Sequence, residues 1–164
     1  MKEYEIRTKF TIYESEKELS ATEQHLLTLS KQAAQRANAG YSHFQVGAAL
    51  LLANNEVVTG NNQENSVYQG LCAERTAAFS AAAQYPDVPF KTLVITAINP
   101  ANKLTRPVPP CGACRQVLFE YETKYGQPVE ILMAGEEGEI WKVSSAAELI
   151  PLTFSSDFLP DFNN

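Results

Sequence analysis

Three cysteines and one glutamate, held in two short stretches, are the residues of this 164-residue chain best suited to chemistry. Leu71-Cys72-Ala73-Glu74-Arg75 supplies a thiol and a carboxylate, and Pro110-Cys111-Gly112-Ala113-Cys114-Arg115 supplies the other two thiols. Thiolates are soft ligands that zinc takes in a tetrahedron. Three of them leave the fourth position open for water or substrate, and a nearby carboxylate that is not a ligand can move protons. The inventory points to a hydrolytic zinc site.

Spacing supports that chemistry only if both stretches open helices. Cys111 and Cys114 are three apart, so off one first turn they point the same way. Pro110 suits the residue before such a turn, and the free amides and positive dipole end there favour thiolates. Cys72 and Glu74 are two apart and would face opposite sides in mid-helix, yet both can point off a helix end that begins at Cys72. Three thiolates on Zn²⁺ leave a net charge of about −1, which weakens the metal as a Lewis acid. A guanidinium donating to a ligand sulfur offsets this, and Arg75, on the same turn as Cys72, is a better candidate than Arg115. The rival is a closed structural zinc site. It needs a fourth ligand from His25 or His43, and it leaves Glu74 without a task.

These residues need one ordinary folded body. The chain is 45% hydrophobic, enough for a core, and no run of about 18 apolar residues suggests a membrane span. Its net charge of −6, with no basic cluster, argues against nucleic acid as a partner. The opening MKEYEIRTKF has no apolar run behind its charges, unlike a secretory signal, and 3 cysteines is an odd number for a disulfide framework. Reduced thiols in the cytoplasm are expected.

Residues 3–13 alternate, with Tyr4, Ile6, Phe10 and Ile12 on one parity and Glu3, Glu5, Arg7 and Lys9 on the other, which predicts a half-buried edge strand. Ser20-Ala21-Thr22-Glu23 has the form of a capping box opening an amphipathic helix that runs to Gly40. Val46–Leu52 and Glu56–Thr59 read as a hairpin turned at Asn54-Asn55, followed by a polar loop from Asn61 to Gly70. Ala73–Ala83 is a helix of small residues, Thr92–Ile98 a central strand, and 99–110 a proline-rich loop feeding a helix from Cys111 to Tyr125. Strands at Val129–Met133 and Ile140–Val143 and a short helix capped at Ser145 complete the order, before a tail holding Phe154, Phe158 and Phe162. Alternating strands and helices predict an α/β fold, a three-layer α/β/α sandwich around a mixed sheet of about five strands, with the extra N-terminal strand added. No linker or second domain is visible, so residues 1–164 read as a single domain.

In five ordered stretches the chain resembles the small three-cysteine cytidine deaminases. CAERTAAF and PPCGACRQVL are similar to that family's two zinc motifs, and GYSHFQVGAALL, NNQEN and ELIPLTFSSDFL to further family stretches in the same order. The resemblance runs from roughly residue 24 to 159 and leaves 1–19 as an extension outside the family core. It implies that Cys72, Cys111 and Cys114 bind one Zn²⁺ per subunit, and that Glu74 shuttles protons between a zinc-activated water and the pyrimidine. It implies that Asn62 and Glu64 grip the sugar 3′-hydroxyl, that Phe44 packs near the ring and that Ala73 contributes to substrate binding. It further implies a homotetramer in which Phe154, and with it Tyr68, reaches a neighbouring site. The implied reaction is hydrolysis of cytidine and 2′-deoxycytidine to uridine and 2′-deoxyuridine with release of ammonia, a step of pyrimidine salvage. A free nucleoside is favoured over a nucleotide because no phosphate cradle is present. The alternatives are a deaminase of another aminopyrimidine nucleoside, such as an antibiotic, and a non-catalytic zinc-stabilised binding module. Asn61 stands where the family commonly has a cysteine, Gln45 where it frequently has proline, and the loop 99–110 has a composition of its own.

Overall fold

The computed structural model describes residues 1–155, 158 and 159. Six strands form one mixed sheet in the order β1-β6-β5-β4-β2-β3. They are β1 (Thr11–Tyr13), β2 (Gln45–Leu52), β3 (Val57–Asn61), β4 (Phe90–Ile98), β5 (Glu130–Met133) and β6 (Ile140–Val143). Three helices, α1 (Ala21–Ala34), α2 (Ala73–Gln84) and α3 (Gly112–Tyr125), cover its two faces. Period-two alternation decides which side chain meets which helix. Ala49, Leu51, Val94 and Leu132 pack with Leu26 and Leu27 of α1. Ala48, Leu50, Leu93, Ile95 and Ile131 pack with Ala77, Ala78 and Ala81 of α2 and Leu118 of α3. The expected α/β sandwich is therefore present. No helix among the described residues is long and apolar enough to cross a membrane.

Topology explains why the two cysteine stretches meet. β3 and β4 each pair antiparallel with β2, so they run the same way, and β4 pairs parallel with β5. Each of α2 and α3 follows one of these co-directional strands, so both helices begin at the same end of the sheet. Gly60 lets α2 approach closely. A Cβ there would lie 2.4 Å from the Ala73 carbonyl oxygen and 2.4 Å from the Ala77 nitrogen, so any side chain would push the helix away.

Four expectations change. The alternating stretch 3–13 is a strand only over Thr11–Tyr13, where β6 pairs with it; further out, Thr8, Lys9 and Phe10 touch the body at Glu148 and Trp141 without strand pairing. Residues 1–10 are all exposed, so the half-buried face predicted for Tyr4 and Ile6 does not form within the chain. α1 opens with the expected capping box at Ser20 and Glu23 but stops at Ala34, well before Gly40. Asn38 instead exchanges backbone bonds with the next loop, donating to Asn62 O at 3.0 Å and accepting from Glu64 N at 2.8 Å. The short last helix is a 3₁₀ turn, Ala146–Leu149, capped by Ser145 as expected. Phe162 lies outside the described residues.

Candidate active site

Cys72 and Cys111 occupy the N-cap positions of α2 and α3, which leaves their sulfurs free of the helices. Cys114 follows within the first turn of α3 and is fully buried. The three sulfurs lie within 4.8 Å of one another, with Cys72 Sγ 3.8 Å from Cys111 Sγ and the latter 3.4 Å from Cys114 Sγ. Tetrahedral ligands at the zinc–sulfur bond length of about 2.3 Å would be about 3.8 Å apart. The donor set therefore fits zinc in type and in spacing. His43 and His25 are both exposed, and neither joins the cluster among the described residues.

Arg75 sits beside this set, its Nη2 donating to Cys72 Sγ at 3.4 Å, while its Nε is buried without a hydrogen-bond partner. Arg115 turns elsewhere, donating to Pro110 O at 2.8 Å and Leu149 O at 2.9 Å. Hydrogen bonding from Cys114, helped by Arg75 against the cost of burial, lowers the Cys72 pKa to about 5. The same Cys72–Cys114 contact and burial push the Cys114 thiol up. Glu74 is only 4% exposed, and burial, with the Cys72 charge beside it, raises its carboxyl above the ordinary value. A raised carboxyl next to a metal set, itself outside that set, is suited to accept and return protons.

A cleft of about 710 Å³ opens over these groups, with Cys72, Cys111 and Glu74 in its lining together with Phe44, Asn62, Glu64 and Tyr68. Its size suits a nucleoside-sized ligand. Asn62 and Glu64 already work within the chain. Asn62 accepts from Val46 N at 2.7 Å and donates to Phe44 O at 2.9 Å. The Glu64 carboxylate accepts from the Tyr41 and Ser42 amides at 2.9 and 3.1 Å and from the Ser42 hydroxyl. These bonds, the Ser42 hydroxyl first, hold the Glu64 carboxyl below its usual range. Tyr68 is 90% exposed at the cleft and has positive φ, held in a turn by its own N–H to Asn65 O at 3.2 Å.

Two expected substrate residues are not in the lining. Ala73 is fully buried where α2 meets Gly60. Phe154 is 57% exposed and stacked on Phe158 at 5.7 Å, away from this chain's own cleft. Conversely, the sequence reading missed Tyr41, Ser42, Ile95, Val108 and Pro109, all of which line the cleft. Signals existed for some of these: Ser42 sits in the stretch with Phe44, and Pro109 precedes Pro110-Cys111. A larger cleft, about 850 Å³, lies over Trp141 and Arg115 but contains none of the three sulfurs, so size does not choose the site.

The family model for the "cytidine and deoxycytidylate deaminase zinc-binding region" matches residues 20–126, which include all three cysteines and Glu74. The chain belongs to that family. It is 39% identical over 143 residues to a cytidine deaminase of Halalkalibacterium halodurans, covering 84% of this chain and 98% of that one. A cytidine deaminase of Sporosarcina psychrophila is 38% identical, with 82% and 92% covered. Among solved structures, the cytidine deaminase of Burkholderia pseudomallei superposes with a TM-score of 0.71 at 34% identity, covering 83% of this chain and all, 100%, of the other. That of Mycobacterium tuberculosis gives 0.61 at 29% identity, with 82% and 98% covered. The family match ends at the start of the first helix, so the N-terminal stretch lies outside it.

Proposed function

We propose that this chain is a zinc-dependent hydrolase that converts cytidine and 2′-deoxycytidine to uridine and 2′-deoxyuridine and releases ammonia. The observation that carries this reading is the buried Glu74 beside three convergent sulfurs in the wall of one nucleoside-sized cleft. Kinship with enzymes named cytidine deaminase supports it.

Cys72, Cys111 and Cys114 hold one zinc per chain, and Arg75 draws charge from the Cys72 sulfur. Zinc in that position supplies a water acidic enough to ionise near neutral pH. Glu74 accepts the proton of the attacking water and delivers it to ring N3, which makes C4 electrophilic. After addition at C4, Glu74 carries a second proton to the exocyclic amine, and the C4–N bond breaks with ammonia leaving. Its raised pKa serves both directions, since a carboxyl closer to neutrality is a better base and a readier acid. Phe44 packs on the ring, and Ala73 adds main chain beside the two reactive residues. Asn62 and Glu64 receive the sugar 3′-hydroxyl with the capacity their internal bonds leave.

The same reading makes residues 1–164 one domain of a cytoplasmic homotetramer in pyrimidine salvage, with Phe154 and Tyr68 facing a neighbour's site and neither nucleic acid nor membrane as partner. The exposed Phe154 and Tyr68 support that placement. The test is turnover of cytidine, 2′-deoxycytidine and free cytosine by zinc-loaded protein, followed by ammonia release. Both nucleosides should react and the free base should lag far behind. Absence of turnover with stoichiometric zinc would overturn the proposal.

A further inference from the structure

The stretch before β1 has a strong pattern and no use for it within the chain. Its apolar parity is uncovered, with Tyr4 85% and Ile6 47% exposed. Its charged parity reads Glu3, Glu5, Arg7, Lys9: acidic first, basic second. Arg7 Nε reaches Glu5 Oε1 at 2.9 Å across two residues, the separation of same-face neighbours in an extended chain. Its end is anchored to the body. Phe10 packs on Trp141 at 5.2 Å, the Thr8 hydroxyl donates to Glu148 O at 2.7 Å, and Lys9 N–H is turned inward to Glu148 Oε2 at 3.3 Å. Backbone groups of successive residues in an extended chain point to opposite edges. Tyr4, Ile6 and Thr8 therefore present theirs on the open edge, an unpaired template for another strand.

We propose that residues 3–9 pair antiparallel with the same segment of a second copy of this chain, with Ile6 on the two-fold axis. The charge pattern selects both partner and register. With Ile6 opposite Ile6, Glu3 faces the partner's Lys9, Glu5 faces the partner's Arg7 and Tyr4 faces the partner's Thr8. Every charge meets its opposite, and the apolar residues share the other face. Centring the pair on Glu5 or Arg7 sets like charges against each other on the axis, and a one-residue slip puts charged side chains opposite apolar ones. An isologous contact demands this kind of self-complementarity. The last contact described above between this stretch and its own body is at Thr8, so the axis at Ile6 stands two extended residues, roughly 7 Å, beyond it. The segment lies outside the family match.

Cysteine cross-linking of the full-length chain under mild oxidation tests this, with the unsubstituted protein as control for its own three thiols. Paired residues on the axis come within disulfide reach, about 5.5 Å between Cα atoms. Ile6→Cys should give a covalent dimer, and Glu3→Cys, whose two copies stand at opposite ends of the pair, should not. Reversing Glu3 and Glu5 to Lys in the Ile6→Cys background should cut the yield about tenfold, as should reversing Arg7 and Lys9 to Glu. Mixing those two reversed proteins should restore it as the heterodimer. Equal cross-linking at positions 3 and 6, as in a tail without register, overturns the proposal. So does no cross-link at position 6, which would leave the segment to its own body, or a yield indifferent to charge reversal.

Discussion

The cysteine corner and the loops proposed to hold the sugar share one cleft, yet they are built by opposite means. Cys72, Glu74 and Cys114 stand on the first turns of two helices whose place is fixed by the sheet, and Glu74 and Cys114 are buried. Phe44, Asn62 and Glu64 stand on loops or strand ends, and side chain–backbone bonds tie those segments to each other. Topology positions the first group, so its geometry survives substitution of any one side chain. The second group positions itself, so removing one member loosens the others. Damage to the corner should therefore appear in kcat or metal content, and damage to the loops in KM.

The sharpest way to break the corner is to remove a sulfur. Cys114→Ala should bring zinc content well below one per chain and abolish turnover, read by metal analysis of dialysed protein, while the circular dichroism of the sheet and helices persists. Full zinc retention in that variant would mean that the cluster is not the metal site. Next comes Glu74→Gln, which keeps the shape of the side chain and removes its proton transfer. It should keep stoichiometric zinc and lower kcat by about 10²–10⁴-fold. If zinc leaves with the carboxylate, Glu74 is a ligand and the proton-shuttle mechanism is wrong.

On the loop side, Glu64→Ala and Asn62→Ala should each raise the KM for cytidine about tenfold or more, with a smaller change in kcat. Inhibition by uridine should weaken by a similar factor, and inhibition by uracil, which has no sugar, should not change. Asn62→Ala should also lower the melting temperature, because the Phe44 carbonyl and the Val46 amide lose their partner together. Equal losses for the nucleoside and the free base would place both residues away from the sugar.

The asymmetry also explains what could be read from sequence. Helix starts announce themselves through Gly70 and Pro110 and strands through their periodicity, so the cysteine corner is legible in the sequence. The loops were legible only as residue names carried by a resemblance. Nothing in the order of Tyr41, Ser42 and Glu64 states that a carboxylate on one loop will bind two amides of another, because such contacts span the chain and leave no period. The early stop of α1 has the same origin: Asn38 bonds across to residues 62 and 64, and that tertiary demand outweighs the helical pattern running to Gly40. At the N-terminus the error ran the other way. The alternation is real, but half-burial needs a neighbouring strand, and beyond Lys142 opposite Thr11 the body offers Thr8, Lys9 and Phe10 only side-chain and single backbone contacts.

The mildest change sharpens the contrast most. Ser42 touches Glu64 through its hydroxyl and also accepts from Phe44 N at 3.0 Å, so Ser42→Ala loosens the loop without removing any group proposed to touch substrate. The KM should rise several-fold with kcat nearly unchanged, and Ser42→Thr should restore it. The pH dependence gives the sign. Glu64 has its folded-state carboxyl below the ordinary 4.5, so its ordering of the loop is fully present above that value and is lost as pH falls through the lowered one. Without the hydroxyl, the largest of the lowering causes, the folded value moves up, and the acid limb of kcat/KM must move to higher pH. The two amides continue to hold the carboxylate, so the shift should be partial, and Glu64→Gln should remove this ionisation from the profile altogether. An acid limb that Ser42→Ala leaves in place would show that the loop bonds do not govern Glu64, and the division of the cleft into a topology-built half and a self-positioned half would fail at its weakest contact.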